Sequence, residues 1–103
     1  MWNRNVETFL GCDNTYEESH IVLVGAPFDS TTSYRPGTRF AARTMRAESY
    51  GLETYSPYQE LDLEDARVFD GGDLKLPFGD TERALAMIGE RAETILHSGK
   101  LPF

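Results

Sequence analysis

The stretch Ile21-Val22-Leu23-Val24-Gly25-Ala26-Pro27-Phe28-Asp29 decides how the rest of the chain is read. Residues 21–24 are all aliphatic, with no polar alternation, so they predict a strand buried on both faces, as in a parallel sheet. Pro27 lacks the backbone donor that a ladder needs, and residues 25–29 therefore end the strand. A polar loop follows, Ser30-Thr31-Thr32-Ser33-Tyr34-Arg35, closed by Pro36-Gly37. That pair suits the centre of a type II turn, where proline supplies the fixed φ and glycine the positive one.

Outward from this strand, the residues from Thr38 to about Ser49 suit a helix, with Gly51 as its stop. Leu52 to Glu64 is acidic, carries Tyr55, Pro57 and Tyr58, and reads as a surface connection with a short helix near Leu61. A second strand is expected at Arg67-Val68-Phe69-Asp70, stopped by Gly71-Gly72-Asp73, with a loop over residues 74–79. The last helix has Asp80 as N-cap and Glu82 in its first turn. Leu85, Ile88, Ala92, Ile95 and Leu96 form its apolar face. Gly89 weakens it by about 1 kcal/mol relative to alanine, and Gly99 terminates it.

Lys100-Leu101-Pro102-Phe103 reads as the approach to a third strand that is not reached. A β-α-β-α pattern with two strands leaves long unpaired edges and a small core. Residues 1–103 are therefore expected to be the N-terminal part of one larger α/β domain, incomplete and poorly soluble unless partnered.

The chain has 103 residues, with 10 Lys+Arg against 17 Asp+Glu and a net charge of -7. So acidic a balance repels phosphate backbones and anionic lipid, which argues against nucleic acid and membrane as partners. The apolar run Ile21 to Phe28 falls far short of the roughly 20 residues of a membrane span. No apolar core of a signal peptide follows Met1, and the expected address is the cytoplasm. One cysteine, Cys12, and two histidines, His20 and His97, make neither an internal disulfide nor a structural zinc set.

Candidate chemistry is sparse. Gly25 to Ser30 lacks the Gly-x-Gly-x-x-Gly spacing, and Gly37-Thr38-Arg39 lacks the Gly-Lys-Ser/Thr end of a phosphate loop. Asp29, Asp70, Asp73 and Asp80 stand near strand ends or a helix start, but no histidine lies beside them in sequence. Capping a turn (Asp73) or a helix (Asp80) is the better reading than metal ligation. His97 suits the last turn of a helix, where a cation is favoured. Ser30, Thr32 and Ser33 have no neighbouring base, and Cys12 has no basic neighbour to activate it. The loop from Asp29 to Arg39 stands apart, with two guanidiniums, an aromatic ring and several hydroxyls around Pro36-Gly37. Arg35 and Arg39 are expected to hold carboxylates in bidentate pairs. The same loop could border a pocket at the carboxyl end of the strand.

Val24-Gly25-Ala26-Pro27-Phe28-Asp29, then Thr32-Ser33-Tyr34-Arg35-Pro36-Gly37-Thr38-Arg39 and Arg46, closely resemble the N-terminal region of agmatinases. These belong to the ureohydrolase family, with arginase and formiminoglutamase. Asp70-Gly71-Gly72-Asp73 is similar to the family's Asp-x-Gly-Asp turn. Gly99-Lys100-Leu101-Pro102 resembles the approach to the family's next strand, and the likeness runs from about His20 to Phe103.

The resemblance implies a three-layer α/β/α sandwich around a mainly parallel sheet. It implies hydrolysis of a guanidino carbon–nitrogen bond, agmatine giving putrescine and urea in polyamine biosynthesis, by a hydroxide bridged between two manganese ions. A homo-oligomer, hexamer or trimer, is implied as well. The family's ligand motifs (Gly-Gly-Asp-His, Asp-Ala-His-x-Asp and Asp-x-Asp) do not occur in residues 1–103. No catalytic residue or metal ligand is assigned, and this segment alone is expected to bind no metal and to be inactive. Asp29, Thr32, Ser33, Tyr34, Arg35 and Arg39 are left as rim or scaffold of the active site. The alternatives are a sibling ureohydrolase (arginase, guanidinobutyrase or formiminoglutamase) or a non-catalytic remnant that assembles with other chains.

Overall fold

β1 (Ile21–Gly25) forms where the aliphatic run predicts it, in a computed structural model that describes residues 7–31 and 34–103. The polar loop leads to a 3-10 turn at Thr38–Phe40 and then to α1 (Ala41–Ser49). Gly37 takes the positive φ that the turn asked of it, 140°. Gly51 stops α1 without a left-handed conformation. Its N–H and that of Leu52 instead fold back onto the carbonyls of Glu48 and Ser49.

The acidic connection is a hairpin. β2 (Tyr55–Ser56) and β3 (Leu61–Asp62) pair antiparallel, closed by the Glu60 N–H donating to the Ser56 carbonyl at 2.8 Å. The helical turn expected near Leu61 lies just beyond it, a 3-10 turn at Leu63–Ala66. Asp62 caps that turn by accepting from the Glu64 N–H at 3.0 Å.

β4 (Val68–Asp73) corrects the second strand at both ends. Arg67 stays outside it in a left-handed conformation, φ 55°, after the 3-10 turn. Gly71, Gly72 and Asp73 were expected to stop the strand but continue it. Leu23 pairs with Asp70 and Gly25 with Asp73, so β4 holds one more residue than β1 in that interval, a bulge. Gly72 absorbs it at φ 77°, and its N–H donates to Asp70 Oδ1 at 3.0 Å. The glycines bend the strand because a glycine can take the backbone angle that the bulge needs.

α2 (Thr81–His97) has the predicted limits. The Asp80 carboxylate accepts from the Arg83 N–H at 3.1 Å. Gly99 is left-handed, and the N–H groups of Lys100 and Gly99 reach the carbonyls of Ile95 and Leu96, the pattern of a glycine stop. Ala84 and Ile95 are fully buried, whereas Leu85 and Leu96, expected on the same face, are each 57% exposed. The buried stripe starts at Ala84, and each of the two leucines lies one residue, about 100° of helical rotation, past a buried position.

The third strand is reached after all. β5 (Leu101–Pro102) pairs with β1 in parallel, Ile21 opposite Leu101 and Val22 opposite Pro102. Phe103 extends the pairing, donating to the Val22 carbonyl at 2.9 Å and accepting from the Val24 N–H at 3.0 Å. The sheet order is β4-β1-β5. The outer edge of β4, expected to be bare, is covered by the N-terminal segment: Asp13 bridges Phe69 in antiparallel fashion. A small core of Cys12, Val22, Val68, Ala84 and Ile95 holds these layers together. No helix among the described residues is long and apolar enough to cross a membrane.

Candidate functional site

The carboxyl ends of β1 and β4 feed the loops that lead into α1 and α2, and a groove of about 350 Å³ opens there. In open α/β sheets this is the end where ligands sit. Asp29, Arg39, Arg43, Asp73, Lys75 and Phe78 are among its lining residues.

Asp29 organises the β1–α1 loop. Its carboxylate is nearly buried and accepts from the Gly37 N–H at 2.6 Å. Arg39 donates to both of its oxygens, at 3.1 and 2.9 Å. Burial pushes the Asp29 carboxyl up, but the Gly37 N–H, the Arg39 guanidinium and the Arg39 N–H together outweigh it, holding the group below its ordinary value of 3.8. Asp29 thus closes the loop and sits as an anion at the start of the helical segment.

The expectation for the two loop arginines is half right. Arg39 holds a carboxylate, but through one nitrogen, Nη1, rather than as a two-nitrogen fork. Its Cζ lies 4.5 Å from the Phe40 ring centroid and 5.8 Å from that of Phe78, a cation against two aromatic faces. Arg35 has no carboxylate partner among the described residues and packs instead against the exposed Tyr34 ring, 5.5 Å from its centroid. Thr32 and Ser33 lie outside the described residues.

The true fork belongs to Arg46, which sequence reasoning touched only through the resemblance. Its Nε and Nη2 donate to the two oxygens of Asp70 at 2.8 and 3.0 Å, and its Nη1 donates to Asp73 Oδ1 at 2.7 Å. Asp70 also accepts from the N–H groups of Phe9 (2.8 Å) and Gly72. Burial lowers the Arg46 guanidinium, yet the bonds and charges of Asp70 and Asp73 leave it above its ordinary value. The turn cap expected of Asp73 is replaced by this ion pair. One signal was available in the sequence: Asp70 shares the face of Val68 in a strand, and a carboxylate facing the core needs a cation.

The other candidates stand apart from the groove. Cys12 is buried, and burial, then Asp70 and Asp13, push its thiol from 9.0 up to about 11. His97 is exposed at the end of α2, 4.0 Å from Glu93, and His20 is exposed before β1. Among the described residues no three His, Cys, Asp or Glu side chains group to hold a metal ion. Asp29 is neutralised by Arg39, and Asp70 and Asp73 share Arg46, so these carboxylates do not fit a dinuclear manganese centre.

A parallel layer with a crevice at the strand ends, entered by a loop locked on Asp29, is the architecture of an open α/β protein. Residues 19–103 match the model of the Arginase family, and the chain belongs to that family. It is 46% identical over 96 residues to the agmatinase of Bacillus anthracis, covering 93% of this chain and 33% of the relative. Agmatine ureohydrolase of Thermoplasma volcanium superposes with a TM-score of 0.88 at 29% identity, covering 96% of this chain and 33% of that one. Proclavaminate amidino hydrolase of Streptomyces clavuligerus gives 0.78 at 27%, over 91% and 32%. The chain spans about a third of the length of the curated relatives it matches. The expected ureohydrolase membership and mainly parallel α/β sheet are borne out.

Proposed function

We propose that residues 1–103 form the N-terminal part of a single agmatinase-like domain, whose complete form hydrolyses agmatine to putrescine and urea. The observation that carries this reading is the 46% identity to an agmatinase across 93% of the chain. In this reading Asp29 and Arg39 hold the β1–α1 loop as scaffold at the rim of the active site, with Tyr34 and Arg35 on its outer side. The two manganese ions implied by the family would be held by residues beyond this segment, because Asp29, Asp70 and Asp73 at the strand ends are already paired with arginines. The likeness to a proclavaminate amidino hydrolase favours a second reading, a sibling ureohydrolase for another guanidino compound.

Reading the source gene past the codon for Phe103 tests the domain assignment. A continuation into Gly-Gly-Asp-His or a close variant supports it, and an in-frame stop replaces it with a non-catalytic assembling remnant. Urea release by the full-length protein with manganese, from agmatine against arginine and guanidinobutyrate, then tests the substrate. A preference for either of the other two overturns agmatine, and urea from residues 1–103 alone overturns the incomplete-domain reading.

A further inference from the structure

Asp70 joins three parts of the fold that lie far apart in the sequence. Its carboxylate accepts from the Phe9 N–H of the N-terminal segment, from Arg46 Nε and Nη2 on α1, and from the Gly72 N–H at the bulge. Arg46 in turn donates to Asp73, which lines the groove. The N-terminal segment therefore reaches the groove wall through two side chains, although none of residues 8–14 lines the groove itself.

That segment is held down along its length. Tyr50, just past α1, donates from its hydroxyl to the Thr8 carbonyl at 2.7 Å and accepts from the Thr8 N–H at 3.3 Å. The Leu10 N–H donates to Ser49 Oγ at 3.0 Å. The Cys12 carbonyl accepts from the Asp70 N–H at 3.2 Å, and the Asn14 N–H donates to the Val68 carbonyl at 3.3 Å. Residues 8–14 form a strap across the end of α1 and the edge of β4.

The fork beneath the strap is dry: the Asp70 side chain is 1% exposed and that of Arg46 is 11% exposed. There the ion pair is stronger than in water, and a buried carboxylate that loses a donor is costly. If the strap lifts, Asp70 loses the Phe9 N–H and the fork is opened to water from the sheet edge. Both changes weaken the hold on Arg46, so strap and fork open as one unit.

We propose that the strap positions the groove wall: docked, it completes Asp70, which fixes Arg46 and so holds Asp73 at the groove. Asp70 is then a positioning residue that acts on the groove through Arg46. The service of the groove to a guanidino substrate rests on the function proposed above, whereas the coupling of the strap to Asp73 does not.

Hydrogen exchange resolved to single amides, on the full-length protein, tests the coupling. The Phe9, Leu10 and Gly72 amides are expected to share one opening, with protection within about threefold of each other and below that of the middle of α2. Tyr50→Phe removes the Thr8 clamp at a ring that is 54% exposed, and leaves Asp70 untouched. It should speed all three amides by the same factor, about fivefold for one lost hydrogen bond. A Gly72 amide that stays as protected as α2 while Leu10 opens overturns the proposal.

The second arm compares Phe9→Pro, which removes the N–H that Asp70 takes from the strap, with Phe9→Ala, which keeps it. The full-length variants are assayed with manganese on whichever of agmatine, arginine and guanidinobutyrate the protein hydrolyses, well below their melting temperatures. Phe9→Pro should raise KM by about threefold or more over Phe9→Ala, with kcat within about twofold. Equal KM values overturn the positioning role and leave the strap a stabilising element alone. Tyr50→Phe still decides the coupling if the proline variant does not fold. If no guanidino compound is hydrolysed, the enzymatic reading falls, and the exchange pattern decides the coupling by itself.

Discussion

The Asp73 carboxylate occupies the space where a side chain on Gly25 would begin: a Cβ built there overlaps Asp73 Oδ1 and comes within 3.0 Å of Ala42 Cβ. Gly25 faces Asp73 in the β1–β4 ladder just past the bulge, and Arg46 fixes the carboxylate in that position. The glycine after the aliphatic run is therefore a place for Asp73 to stand as well as a strand end.

Gly25→Ala must push Asp73 off Arg46 or separate β1 from α1. The expected cost is about 2 kcal/mol of stability, as for overpacking elsewhere. Urea denaturation of the variant beside the parent measures it. A change within a few tenths of a kcal/mol would mean that the strand end yields freely.

Arg46→Met leaves the nearly buried Asp70 carboxylate without its cation, while the Phe9 and Gly72 N–H groups remain. Breaking a buried pair from one side costs about 3–5 kcal/mol. A double-mutant cycle with Asp70→Asn separates the pair from the rest. We expect Arg46→Met to cost much less in the Asp70→Asn background, and equal costs in both backgrounds would refute the coupling.

The lowered Asp29 carboxyl gives stability a defined dependence on acid. The folded state releases this proton more readily than the unfolded one, so the unfolded chain binds more protons in the interval below 3.8. The contribution is complete above that value and is lost as pH falls through the folded-state pKa. Denaturation midpoints measured from neutral pH down to strong acid should converge for the parent and Asp29→Asn at the acid end. A constant offset between them would contradict this.

Cys12 predicts the opposite slope at the alkaline end. Its thiol is raised to about 11, so its share of stability is complete below 9.0 and declines as pH rises toward 11. In the same buried site the thiolate is scarce. Alkylation with iodoacetamide at mildly alkaline pH should be slow in the folded protein and become fast in denaturant. Equal rates in the two states would place Cys12 at the surface.

The sequence by itself determined the elements whose signals lie within a few residues. The aliphatic run of β1, the Asp80 cap and Gly99 stop of α2, and the positive φ of Gly37 are all local chemistry, and each stands where it was read. The likeness that leads to the Arginase family was legible for the same reason, in short local runs such as Val24–Asp29 and Thr32–Arg39.

Only the tertiary structure decided which charges meet. Arg46 lies 24 residues from Asp70 and 27 from Asp73, and their fork depends on how β4 is registered against β1. That register turns on one extra residue at Gly72, so glycines that punctuate a strand when read alone become the bulge that carries it to Asp73. Arg35 and Arg39 could not be told apart by composition, because both flank the same turn. The loop's path brings Arg39 back over Asp29 and turns Arg35 out against Tyr34. Hydrogen bonds between neighbours are written in order along the chain, whereas an ion pair across strands exists only once a register has been chosen.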